Sequence, residues 1–119
     1  MAVNPLTVVA LGRSGVSIDE TLTAATVTDG DSFINDGKTY FNIVNGSVGD
    51  ITFTVTPVQT IDGQAIAAKV VTVKATGDAD GLDTQFIGPY TKTFEQTNGT
   101  IIGICSAVAT VTIGAFRLP

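Results

Sequence analysis

Residues Ile51-Thr52-Phe53-Thr54-Val55-Thr56 alternate strictly between large apolar and hydroxyl side chains. Successive side chains of a strand point to opposite faces, so this period of two specifies a half-buried β-strand and is incompatible with an amphipathic helix. One face enters a core and the other meets water. The same period recurs in Lys69 to Ala75, where Val71, Val73 and Ala75 oppose Val70, Thr72 and Lys74. Tyr40 to Val44, Ile101 to Cys105 and Thr110 to Leu118 read as further strands, and Leu6 to Leu11, a piece of Thr21 to Thr28 and Thr91 to Gln96 as weaker ones. The turn cluster Asn45 to Asp50 predicts a hairpin between Tyr40–Val44 and Ile51–Thr56. Ser106-Ala107-Val108 predicts a second hairpin that closes the chain. Ile18 to Thr26 fits a helical turn as well as a strand, and Gly77 to Pro89 reads as one long loop.

A chain of 119 residues holds one core. The expectation is a single all-β domain over residues 1–119, an antiparallel β-sandwich or barrel-like sandwich of about seven to nine short strands.

Chemistry is constrained next. Histidine and tryptophan are absent and there is one cysteine. A histidine-dependent triad, a histidine-rich zinc site and a dithiol redox centre are therefore impossible within the chain. No acidic pair stands out as a catalytic dyad, and the chain is not expected to be an enzyme. Six Lys plus Arg against eleven Asp plus Glu give a formal charge of -5, and the cations are scattered singly. Nucleic acid is not an expected partner. The longest apolar stretch, Ile101 to Ala109, is broken by Gly103 and Ser106, so no membrane span is expected. Met1 to Pro5 has neither a basic nor an apolar leader segment, so no secretory signal is expected. Only 14% of residues are charged, which leaves room for faces covered by another molecule.

Asp78, Asp80 and Asp83 form the candidate cation site, since calcium takes its oxygens from loops of this kind. No acidic residue follows near the twelfth loop position, and turn chemistry explains the same residues. No cofactor is expected. Asp29 to Gly37 reads as a turn around a buried Phe33, and Cys105 as a small buried apolar residue on the face of Ile101 and Gly103. Asn45-Gly46-Ser47 and Asn98-Gly99-Thr100 match the glycosylation acceptor pattern but sit where Asn-Gly turns belong. Phe86 and Tyr90 flank Ile87-Gly88-Pro89 and are either core lids or contact residues.

Several segments together resemble small structural proteins of tailed bacteriophages, of the group that decorates or cements the capsid. They are Ala2-Val3-Asn4-Pro5-Leu6-Thr7, Gly30 to Gly37 running into Thr39-Tyr40-Phe41, Asn42-Ile43-Val44-Asn45, Ile87-Gly88-Pro89-Tyr90, and Phe116-Arg117-Leu118-Pro119. The resemblance implies a virion protein on the capsid surface, made in the host cytoplasm. It would bridge subunits of the major capsid protein and associate with itself as a homotrimer. Arg13, Phe86, Tyr90 and Arg117 are the candidate contact residues, and a sparsely charged, Thr- and Ala-rich sheet face is the expected contact surface. A tail or neck component, and a calcium- or carbohydrate-binding module, are the competing expectations.

Overall fold

A computed structural model describes residues 3–12, 15, 22–25, 30–58 and 60–118. Among these, the strands in chain order are β1 (Asn4–Pro5), β2 (Val8–Ala10), β3 (Thr23–Ala24), β4 (Asp31–Ile34), β5 (Thr39–Asn45), β6 (Ile51–Val55), β7 (Thr60–Ile61), β8 (Gln64–Ala65), β9 (Lys69–Val73), β10 (Thr84–Ile87), β11 (Thr100–Cys105) and β12 (Val111–Arg117). The count exceeds the expected seven to nine because four of these are two-residue pieces.

Two mixed five-stranded sheets make the sandwich. One, sheet A, runs β1-β4-β11-β6-β9; the other, sheet B, runs β10-β5-β12-β2, with β3 also paired to β12; β7 and β8 form a small separate ribbon. The expected antiparallel sandwich is present, with parallel pairing added at the amino-terminal segment. β1 runs parallel to β4 and β2 parallel to β12, so residues 4–10 pass from one sheet to the other and close one side of the sandwich. On the opposite side Gln85 Nε2 of β10 donates to Thr72 O of β9 at 2.8 Å, and Lys74 N to Leu82 O at 3.0 Å.

Both expected hairpins are absent. β5 pairs with β10 and β12, whereas β6 pairs with β9 and β11, so the Asn45 to Asp50 turn arches between sheets. The Ser106 to Thr110 connection likewise carries the chain from β11 in sheet A to β12 in sheet B. The physical reason lies in where the apolar faces point. Phe41 and Ile43 of β5 oppose Phe53 and Val55 of β6 across the core, which two neighbouring strands of one sheet cannot do. Gly46 N donates to Thr110 O at 2.9 Å and ties the two arches together.

The core is an aromatic line. Phe33, Phe41 and Phe53 pack with ring centroids 4.6 and 4.8 Å apart, and Tyr90 joins Phe41 at 6.3 Å. Phe33 is buried as expected, but it sits within β4 and not in a turn. Thr91 to Gln96, a weak strand candidate, holds a short 3-10 turn at Lys92–Phe94. The expected loop from Gly77 to Pro89 contains the edge strand β10. Of the ambiguous Ile18 to Thr26, residues 18–21 and 26 lie outside the described residues, and Thr23–Ala24 pairs with β12 as strand.

Candidate interaction surfaces

Across its strands sheet A turns outward a face without charged side chains, bounded at one end by the Asp50–Lys74 ion pair. Because Phe33, Ile101, Phe53, Val55 and Val73 enter the core, the alternate positions face away from it: Ser32 and Ile34 on β4, Ile102 and Ile104 on β11, Thr52 and Thr54 on β6, Val70 and Thr72 on β9. Ile104, Thr54 and Val70 lie side by side across three strands. Ile34 is 75% exposed, Val70 60% and Ile104 38%. Threonine hydroxyls between aliphatic groups make a surface that a protein partner can desolvate without stranding a charge. The expected Thr-rich face is present, with isoleucine and valine in place of the anticipated alanine.

Many of the charges collect at the two ends of the sandwich, while Asp31 and Lys69 stand within β4 and β9 at the core-side parity of sheet A. Asp50, Asp78, Asp80 and Asp83 lie at the end where β5 leaves and β9 turns to β10, with Lys74 alone against them among the described residues. Lys38, Asp36 and Arg117 lie at the opposite end. There Arg117 Nη1 stands 3.8 Å from Asp36 Oδ2. The Lys38 backbone N–H above all, helped by the Thr39 hydroxyl and Arg117, holds the Asp36 carboxyl below the usual range against an opposing effect of burial that ranks second to the Lys38 hydrogen bond.

Sheet B bears a second apolar feature on its outer face. Phe116 is fully buried although Val111, Ile113 and Ala115 take the core-facing positions of β12, so its ring lies on the outside of the sheet. It is covered by Phe86 at 5.9 Å between ring centroids, and Leu11, Tyr40 and Leu118 complete a hollow of about 210 Å³. Phe86 is half exposed at its rim. Next to it Asn42 is 0% exposed between its cross-strand partners Phe86 and Gly114, and neither atom of its amide has a hydrogen-bond partner among the described residues. An orphaned buried amide costs free energy. Replacing Asn42 with leucine is expected to raise stability by about 1 kcal/mol, read as a higher urea midpoint at unchanged slope. A lowered midpoint would show that the amide is satisfied.

The candidate residues separate. Phe86 and Arg117 are exposed, and both border Leu118. Tyr90 corrects the expectation of a contact residue: it is 7% exposed, packed on Phe41 and Phe94, and already a core lid. Arg13 lies outside the described residues. The acidic loop is organised around its own backbone. Asp78 Oδ2 accepts from Asp80 N and Leu82 N, both at 3.1 Å, and Asp83 Oδ2 from Gly77 N at 3.1 Å. Among the described residues no three or more acidic or cysteine side chains gather as a metal site. The hollow on sheet B was missed in the sequence, although the parity of Phe116 against Ile113 is a readable signal for it.

Cys105 faces the core with Ile101 and Gly103, as expected. Burial, with a smaller contribution from nearby Asp31, pushes its thiol from 9.0 up to about 11. Burial likewise pushes Tyr90 from 10.0 up to about 12. Both acids ionise more easily in the unfolded chain, so they leave stability unaffected below pH 9.0 and lower it progressively between 9.0 and about 12. Thermal melts across this window are expected to show falling Tm, with the loss beginning later in a Cys105→Ala variant. An unshifted onset in that variant would contradict the assignment.

Compared with protein-family models, with curated proteins and with solved structures, the chain matches none.

Proposed function

We propose that the protein is a structural component of a tailed-phage virion that lies on the capsid exterior and stabilises the shell by bridging subunits of the major capsid protein. The observation that carries this reading is the outer face of sheet A, on which Ile34, Ile102, Ile104, Thr52, Thr54, Val70 and Thr72 stand without a charged side chain among them. The sequence resemblance to capsid-decorating proteins supplies the class of partner. Such a role needs a stiff body and a desolvatable surface, and it needs no reacting group. Modest contacts to several capsid subunits combine through effective concentration, so each one need not be strong.

The test is co-sedimentation of the purified protein with intact and with expanded capsids. Saturable pelleting at a fixed ratio to capsid subunits is the expected result. Protein that stays in the supernatant with both shells would sink the reading, and attachment to tails alone would replace it with a tail or neck role.

A further inference from the structure

The molecule carries an apolar knob at one end and an apolar hollow at the other. Val48 is 96% exposed, the most exposed of the large apolar side chains described. It stands at the tip of the arch that leaves β5, and hydrogen bonds hold the arch on both sides of it. Asn45 Oδ1 accepts from Ser47 N at 2.9 Å and from the Ser47 hydroxyl at 2.6 Å, and Thr76 N donates to Ser47 O at 2.9 Å. A β-branched side chain on a turn held in this way has little freedom left to lose on burial. The hollow on the outer face of sheet B lies at the start of the same strand, beside Tyr40. Its lining exposes no polar surface, and its volume of about 210 Å³ accommodates an isopropyl group with room to spare.

The surroundings of the two features are electrically complementary. The knob is flanked by Asp50 and by the loop bearing Asp78, Asp80 and Asp83, with Lys74 as the counter-charge. The hollow adjoins a depression lined by Lys38, Arg117, Asp36 and Leu118, so its rim carries a net positive charge. A chain cannot fill its own hollow, because about 20 Å of extended strand separates Tyr40 from Val48. Two hollows placed face to face would juxtapose like-charged rims.

We infer that the Val48 arch of one copy docks into the Leu11–Tyr40–Phe86–Phe116–Leu118 hollow of a second copy, as a head-to-tail contact. Such a contact is heterologous and generates a ring or an open chain of subunits, not a simple twofold dimer. It leaves the outer face of sheet A free and does not rest on the capsid reading; the two fail separately.

The experiment mixes two full-length single-cysteine additions, V48C and L118C, under mild oxidation. Native Cys105 is 4% exposed and does not compete. The mixture is expected to form a disulfide-linked dimer about tenfold faster than either variant alone. Light scattering on the wild type should give a mass that rises with concentration and falls in high salt, while V48D stays monomeric. Equal cross-linking rates in the mixture and in the separate variants, or equal masses for wild type and V48D, would overturn the inference.

Discussion

Replacing Gly103 with alanine is expected to cost about 3 kcal/mol of stability and to lower Tm by about 10 °C or more. Gly103 lies in the middle of β11 and faces the core, where a Cβ would come within 1.9 Å of Phe53 Cζ and 2.6 Å of Cε1. The ring has no retreat, since Phe41 packs on it at 4.8 Å. The effect is steric and owes nothing to backbone conformation. Gly49→Ala is the matched control: a Cβ there meets nothing within 4 Å, and its stability should change by less than about 0.5 kcal/mol. A loss below about 1 kcal/mol at Gly103 would mean that the aromatic line can shift to admit a methyl group.

Asn45→Ala ranks beside it, with an expected loss of about 3 kcal/mol in denaturant unfolding. Asn45 is 1% exposed and ends β5. Its Nδ2 donates to Gly49 O at 2.9 Å and Lys74 O at 3.0 Å, while Oδ1 accepts from the Ser47 N–H and hydroxyl. One side chain thus supplies the hydrogen bonds that a ladder partner would supply if the chain turned back within one sheet. Alanine leaves the Val73 and Lys74 carbonyls and the Ser47 N–H without that partner in partly buried surroundings, while the exposed Gly49 carbonyl keeps the Ser47 hydroxyl. Asn98, whose Oδ1 accepts from Thr100 N and Oγ1 at an exposed turn, makes a similar local pattern. Asn98→Ala is expected to cost under about 1 kcal/mol. Similar losses at the two sites would contradict the role given to burial.

The pair of asparagines also marks where the sequence was legible and where it was not. Asn-Gly-Ser and Asn-Gly-Thr are both correctly read as turns, because local chemistry specifies them. Whether a turn joins neighbouring strands or arches between sheets is not local. Ile51, Phe53 and Val55 alternate in the same way for either outcome, and only the aromatics opposite them decide it. The strands themselves were legible because period two is a property of the segment. Their partners were not, and the parallel pairings of β1 and β2 follow from a segment whose alternation is too short to read. Among contact candidates, Phe86 and Arg117 reach the surface, whereas Tyr90 was ambiguous for a physical reason: an aromatic beside a bend serves equally as lid or as contact until its neighbours are known.

The claim that sheet A meets the capsid through its outer face is tested most directly by measuring capsid occupancy of the Val70→Lys and Ile104→Lys variants against the wild type. Both side chains point outward beside Thr54, so the variants should fold with unchanged Tm. A charge stranded in the contact should weaken binding by tenfold or more, about 1.4 kcal/mol or greater. Binding of both variants at wild-type occupancy would contradict the assignment of this face.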